Sequence, residues 1–452
     1  MRRKKKLTIN GVDIQYFTII YKANDALPAV YNRGREVDEE GNVIDPMWYY
    51  GSDCLGDAMR LRDMITATYG AAIPVVSEKE TPANYEILLG GVARPEVAYL
   101  SELPEPGPMH ITMQVRGTKI IVRYGCTMAM RNAGKALRRF FMENPRLSLK
   151  DGFTKELSCL DQDSYPRVPG TNLRIVTWNV ASTYNWGGYS EIELCHRQNI
   201  FLANLRALDP DVLAIQEVDE KWYEVLDTCT DYAQVSPLVP AVDNLPVANL
   251  SGLLYKKSKF NEIASGNRPF TTCYDEEGNL TKRANIRAIT WAVLEDKETG
   301  ARALFVNSHW DWKREQVVDP EDGTVYETHQ EFHGKLNGQW MHELCEQYGV
   351  PGFGMADYNC CEINSKAFAY FLAHGGLENT RTTALREGTL QTNMGTIHTA
   401  FMRMIHEPYR AYDQIVYTPC EKVKILGVRT VGENSLVDLS DHVPRYADVV
   451  LS

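Results

Sequence analysis

The chain reads as an α/β protein: two mixed β-sheets packed together with helices outside, preceded by a smaller α+β domain. Three observations predict this. Apolar, β-branched runs such as LRIVTWN, DVLAIQE and ALFVNSH alternate with segments like HRQNIFLANLRAL, whose apolar residues recur at helical spacing. Two prolines and a glycine interrupt the pattern within Asp161–Gly170, which sets domains at 1–165 and 166–452. Several of the later apolar runs end on an acid, an amide or a histidine, as buried strands do when they deliver side chains to one shared rim.

In the first domain, the strand-like runs FTIIY, YEILLGG, HITMQV and KIIVRYG alternate with two amphipathic patterns, CLGDAMRLRDMITATYG and TMAMRNAGKALRRFFMEN. Gly70 suits the end of the first helix. No cluster of titratable groups there suggests chemistry. Residues of about 7–150 resemble the non-catalytic amino-terminal domain of hexosaminidase- and glucuronidase-type glycoside hydrolases. That resemblance implies an accessory role near carbohydrate, and so a glycan contact, with plain packing as the alternative.

In the second domain, LRIVTWNV leads into HRQNIFLANLRAL, which Asp209-Pro210 ends, and DVLAIQE follows. Then come SGLLYKK, the pair ANIRAITWAVLED and RALFVNSHWD, the helices GKLNGQWMHELCEQYG and SKAFAYFLAHGG, and the strands DQIVY and KVKILGVRTV. Two sheets with helices on their outer faces account for this alternation.

Charge divides unevenly. Residues 1–170 carry 23 Lys+Arg against 21 Asp+Glu, leaving 25 against 38, a net of −13, for the part that holds the strand-end motifs. A face built to displace counterions from a long polyanion is normally basic, so long nucleic acid is disfavoured as a partner. The ten cysteines form no CxxC pair, which speaks against a zinc ribbon or a disulfide scaffold. MRRKKK resembles the start of a signal peptide, but Asn10, Gly11, Asp13 and Gln15 break the apolar stretch that should follow, and no run reaches the roughly 20 apolar residues of a membrane helix. A cytoplasmic protein without membrane attachment is expected, with secretion open if a leader preceded this numbering.

The strand ends carry the chemistry. Glu217 closes an apolar run, where a carboxylate is costly unless hydrogen-bonded or bound to a cation, and Asn179 supplies an amide nearby. One carboxylate with an amide, water and substrate phosphate suits Mg2+, with Mn2+ as the alternative ion. Asp357 and Asn359 are two apart, so on extended backbone they aim at one point: the acid can take a proton from water and the amide can donate to a phosphoryl oxygen. His442 can hold a proton near neutral pH, with Asp413 as its orienting partner, and His309 can reach the phosphate from the opposite side. Arg283, Asn285 and Arg287 alternate on one strand and could fork to an anion. Trp310 and Trp312 flank Asp311, where an indole could stack on a sugar or base, and His398 is a further rim residue.

The ordered set TWN, QE, NSHWD, DYN, YDQIV and LSDHVP, over about 172–452, resembles the endonuclease/exonuclease/phosphatase superfamily, which includes DNase I. SGLLYKKSKF and GTIHTAF add to the likeness. The resemblance implies a four-layer α/β sandwich and a metal-dependent phosphoric ester hydrolase. It implies that Glu217, with Asn179, holds the divalent ion and that Asp441 assists it. Asp357 would orient or deprotonate the attacking water, Asn359 and His309 would hold phosphoryl oxygens, and His442 with Asp413 would contact the phosphate and stabilise the transition state. Ala356 departs from the family's glycine, and Lys313 to Gly338 reads as an insertion that could line the entrance. The expected substrate is a small or medium-sized soluble phosphate ester of a sugar, inositol or glycan. The alternatives are a nuclease for RNA or damaged DNA, and a non-catalytic carbohydrate-binding protein.

Overall fold

In a computed structural model, the described residues are 6–21, 31–32, 35–37, 43–44, 55–90, 92, 94–95, 98–99, 110–124, 136–137, 139–158, 164–183, 191–235, 250–270, 287–361, 365–392, 394–399, 403–404, 411–432, 436 and 439–452. The chain divides into two compact units, Met1–Asp163 with Tyr189–Asn204, and Ser164–Gly188 with Leu205–Ser452. Among the described residues no helix is long and apolar enough to cross a membrane.

The first unit holds a six-stranded mixed sheet in the order Thr154–Ser158, His110–Arg116, Lys119–Tyr124, Glu86–Leu89, Thr18–Tyr21 and Val75–Ser77. The helix Leu55–Tyr69 buries Ala58, Leu61 and Ile65, and Gly70 ends it at φ 75°, where a side chain would be strained. Glu86 is fully buried, held at 2.8 Å by Lys119 and at 3.6 Å by Arg94.

Among the described residues, two six-stranded sheets of the second unit comprise β1 (Leu173–Asn179), β2 (Val212–Val218), β3 (Tyr232–Val235), β4 (Leu250–Lys256), β5 (Phe260–Pro269), β6 (Ala288–Asp296), β7 (Arg302–His309), β8 (Gly352–Asp357), β9 (Glu378–Asn379), β10 (Asp413–Tyr417), β11 (Val423–Thr430) and β12 (Arg445–Leu451). One sheet runs β3-β4-β2-β1-β12-β11 and the other β5-β6-β7-β8-β10-β9. Both mix parallel and antiparallel pairs. Helices of this unit among the described residues include α1 (Glu220–Leu226), α2 (His329–Tyr348), α3 (Lys366–Gly375) and α4 (Thr380–Glu387), and the helix expected at HRQNIFLANLRAL is present as Glu191–Leu208.

Alternation along the strands sorts the side chains into layers. Leu173, Ile175, Val212, Ala214, Phe305, Phe353, Met355 and Ile415 pack between the sheets in one apolar cluster. Leu304, Val306, Ala356 and Val416, from the opposite face of the second sheet, pack with Phe332, Leu336, Phe368 and Phe371 of α2 and α3. The sandwich of sheets with helices outside is therefore present. Ala356 is wholly buried in this outer layer.

Two sequence expectations change here. The presumed insertion is a loop only as far as Thr328: a short hairpin pairs Val317–Val318 with Val325–Tyr326, and α2 then begins at His329. Thr328 caps α2 by accepting from the backbone of Glu331 at 3.1 Å, and Glu331 in turn accepts from the backbone of Glu327. The Thr-x-x-Glu signature that marks this start is present in the sequence. Consequently Glu331 and His333 are buried helix residues that do not line an entrance, and Asp319 is buried against Lys335 at 2.7 Å. The strands β3 and β5 and the helices α1 and α4 are further elements that the sequence patterns do not announce.

Gly334 and Gly338 lie one helical turn apart where α2 meets α3. A Cβ on Gly334 would sit 2.4 Å from the carbonyl oxygen of Ala367, and one on Gly338 would sit 2.7 Å from that of Phe371. Backbone blocks both, so neither position can yield by rotating a side chain. Gly334→Ala should therefore cost about 1–3 kcal/mol through overpacking, read as a lower urea midpoint at unchanged slope. An unshifted midpoint would mean that the two helices stand further apart than described.

Candidate active site

The layering continues up the inner faces of both sheets. Above the apolar cluster lies a layer of fully buried polar groups, Thr177, Gln216 and Asn307, and above that lie Asn179, His309, Asp357 and Asp413. Register makes the upper layer contiguous: His309 pairs with Asp357 across β7 and β8, and Asp357 pairs with Asp413 across β8 and β10. In the other sheet Asn179 pairs with Gln216.

Glu217 is the exception to alternation. Ala214 and Gln216 face inward, so an undisturbed strand would send Glu217 outward. Instead the ladder with β4 slips between Ile215 and Val218, and Glu217 takes φ 60°. This bulge, with a non-glycine residue in the left-handed region, swings the carboxylate back to the inner side. There it accepts from Asn179 Nδ2 at 3.1 Å and from the backbone of Ser182 at 3.2 Å.

Asp357 forms the centre. Asn179 Nδ2, from the opposite sheet, donates to its Oδ2 at 2.9 Å, and the backbone of Asn359 donates to its Oδ1 at 2.8 Å. His309 Nε2 lies 3.4 Å and His442 Nε2 lies 3.7 Å from Oδ2. On its other nitrogen, His442 Nδ1 meets Asp413 Oδ2 at 2.7 Å. Ser440 fixes the turn that presents His442, accepting from its backbone at 3.1 Å while donating to the Asn179 carbonyl at 2.8 Å.

The two histidines are tuned in opposite directions. Burial foremost, then the charges of Arg287 and His442, hold His309 well below its ordinary value of 6.5, so it is neutral. Burial opposes charge on His442 too, but the carboxylates of Asp413, Asp357 and Asp441 outweigh it and hold that imidazole well above 6.5. Asp357 is pushed up to about 6, mainly by burial, with Asp413 adding to the rise and His442 and Asn179 opposing it.

The candidate residues from the sequence fall as follows. Asn179, Glu217, His309, Asp357, Asp413 and His442 meet in one place. Asn359 sits beside them, but its backbone is left-handed at φ 50°, so a turn, and not strand alternation, brings it there. It already gives one amide hydrogen to the Trp310 carbonyl at 2.8 Å. Asp441 is half-buried and accepts from Ser440 Oγ at 3.4 Å, outside the groups whose ligand atoms converge. Trp312 is 64% exposed, whereas Trp310 is buried edge-on against Tyr358 and Phe371. Arg283 and Asn285 lie outside the described residues; His398 lies in the short strand His398–Thr399. Sequence reasoning missed Thr396, which accepts from the backbone of Val443 through its carbonyl and from that of Asp413 through its hydroxyl. It also missed Asp219, a buried carboxylate that binds Ser182 Oγ at 3.0 Å and caps α1. An Asp followed by helix formers after a strand was the available signal for the latter.

The fit of this site to a cation can be tested on its donors. One ligand atom each from Glu217, His309 and Asp357 lies within 4.8 Å of the others, as does one each from Asp357, Asp413 and His442. Two carboxylates and a neutral imidazole around one point form a donor set that a hard divalent ion accepts, while Asn179 turns its amide hydrogens to the two carboxylates and its Oδ1 to the backbone of Ala181.

No family model matches the chain, and no curated protein matches it. Solved structures do. They include an endonuclease/exonuclease/phosphatase from Bacteroides vulgatus, 21% identical, with 62% of this chain and 99% of that one covered at a TM-score of 0.49. A mannosyl-6-phosphatase of Bacteroides thetaiotaomicron, 16% identical, covers 62% and 100% at 0.47. The catalytic domain of human nocturnin with bound sulfate, 16% identical, covers 64% and 97% at 0.45. At such identities the chemistry has to be read from the side chains themselves.

Asp357 links this geometry to stability. Its folded value near 6 exceeds the ordinary 3.8, so the folded chain keeps a proton that the unfolded chain releases. Stability from this group is therefore full below about pH 4 and is lost as pH rises through about 6. In EDTA, the wild type should lose up to ~3 kcal/mol relative to Asp357→Asn across that window, at 1.36 kcal/mol per pKa unit. Urea midpoints at pH 4 and pH 7 measure it; parallel behaviour of the two proteins would refute the raised value.

Proposed function

We propose that this chain is a divalent-metal-dependent phosphoesterase that hydrolyses a small or medium-sized soluble phosphate ester, a sugar, inositol or glycan phosphate being favoured. One observation supports this best: a buried carboxylate, Asp357, stands between a neutral and a charged histidine beside the Glu217–Asn179 pair. In this reading residues 166–452 are the catalytic domain and 1–165 an accessory domain suited to glycan contact.

Glu217 would hold the ion, Mg2+ or Mn2+, with Asn179 and Asp441 in support. When bound, it supplies positive charge to the phosphoryl oxygens. The chain's own residues do the rest. Asp357, ionised above about pH 6, would accept the proton of the attacking water. His442, kept protonated by Asp413, donates through Nε2 to a phosphoryl oxygen as charge builds there. His309, neutral, adds no repulsion toward a cation and offers Nε2 from the other side, and Asn359 has a second amide hydrogen for the phosphate. Exposed Trp312, with Arg283, Asn285 and His398, is assigned to the substrate. The net charge of −13 over 171–452 favours a compact ester above a long polyanion.

Two experiments test this reading. Turnover of sugar phosphates, inositol phosphates, bis-p-nitrophenyl phosphate, short RNA and plasmid DNA should require Mg2+ or Mn2+ and favour the small esters with little salt dependence. Efficient plasmid nicking that falls steeply with salt would instead establish the nuclease alternative. Asp357→Ala and His442→Ala should each lower kcat/KM by at least about 100-fold, as losses of proton acceptor and charge stabiliser do. Equal rates in wild type and both variants would leave a non-catalytic scaffold.

A further inference from the structure

The polar layer beneath the site is unexplained by packing. Thr177, Gln216 and Asn307 are fully buried in the middle of an apolar sandwich, where leucine or valine would fill the same space without the cost of desolvating amides. Gln216 even leaves its Oε1 without a hydrogen-bond partner among the described residues. Such a cost inside a core calls for a reason.

The contacts give one. Asn307, on β7 of the second sheet, sends its two amide hydrogens across the sandwich to the carbonyls of Ile215 at 2.8 Å and Gly252 at 2.5 Å. Those two residues form the last regular pair of the β2–β4 ladder before the bulge. Asn307 Oδ1 accepts from Gln216 Nε2 at 2.8 Å, and the same Nε2 reaches Thr177 Oγ1 on β1 at 3.1 Å. Gln216 is the residue immediately before Glu217. One amide from the opposite sheet thus grips both strands at the bulge and the side chain that precedes the inverted residue.

We infer that Asn307, acting through Gln216, is a positioning residue: it locks the β2 bulge and so holds Glu217 at its left-handed backbone angle, facing inward for the divalent cation. The inference rests on the assignment of Glu217 to that cation. Without the lock, β2 relaxes toward regular pairing, which turns Glu217 to the outer face and removes a carboxylate from the site. Asn307 touches neither substrate nor ion, so its loss weakens cation binding more than the chemistry at saturating cation.

Asn307→Leu keeps the branched side-chain shape and removes all three bonds. Mn2+ binding followed by electron paramagnetic resonance should show a dissociation constant about 10-fold or more above wild type, in the range for residues that orient metal ligands. The Mn2+ concentration for half-maximal hydrolysis should rise in parallel, with the saturated rate restored to within about threefold. Gln216→Met, which removes only the amide partner, should shift both in the same direction by about threefold and serves if Asn307→Leu does not fold. Folded variants with unchanged Mn2+ affinity, or a loss confined to the saturated rate, overturn the inference. Amide hydrogen exchange provides a readout free of metal: the segment 214–218 should exchange at least about 10-fold faster in Asn307→Leu, and equal protection refutes the lock. Should wild type bind no Mn2+, the reading of the site fails while the exchange result still decides whether Asn307 holds the bulge.

Discussion

Asn179 and Asp357 come from different sheets and meet at 2.9 Å, and that meeting joins the two halves of the site. Each sheet alone carries only part of the set: Asn179 and Glu217 lie on one, His309, Asp357 and Asp413 on the other. What brings them together is the apolar cluster between the sheets, which sets their separation and leaves the strand ends facing each other. Burial of a carboxylate is tolerable there because two amide donors, one side-chain and one backbone, satisfy it, and because a charged imidazole stands nearby.

From that buried carboxylate the electrostatics follow. A single low-dielectric pocket contains two histidines of opposite protonation, and the difference is a matter of neighbours. His442 has Asp413 on Nδ1 and Asp357 across from Nε2, so its charge is compensated twice. His309 faces the same Asp357, but its Nδ1 has no partner among the described residues, and the charge of Arg287 opposes a proton on the ring. Burial therefore wins for one ring and loses for the other. The pairing of a neutral and a cationic imidazole around one acid permits proton acceptance and charge stabilisation at the same pH.

How much of this was legible in the sequence depended on whether a feature is local. The strand-end polar groups could be read because a buried strand is an apolar run and its terminus is a change of residue type; six of those groups do converge. The His442–Asp413 pair could be named from residue chemistry alone. The Glu217 bulge could not, because QEV reads as ordinary alternation and the slip exists only against β4. Asn359 was placed beside Asp357 for the wrong reason, strand alternation standing in for a left-handed turn. The start of α2 was misread as insertion although Thr328 and Glu331 spell a cap, since polar residues around it suggested a solvated loop. They are buried by partners distant in sequence, His333 under Phe270 and Gln330 against the Asn359 carbonyl, which no local pattern holds.

The inner faces show why a site of this kind is built on two sheets and not one. Three successive levels run up the sandwich: apolar side chains that bind the sheets, then Thr177, Gln216 and Asn307, then the titratable groups. The middle level is the transition between an interior that excludes polar atoms and a rim that requires them. Its amides bond to each other and to the carbonyls of Ile215 and Gly252, so the backbone beside the irregularity that inverts Glu217 is held from within the protein. An apolar middle level would leave those carbonyls unmatched at a kinked ladder and would favour the regular strand. Strain at one residue of the site is thus sustained by polarity placed one level below it.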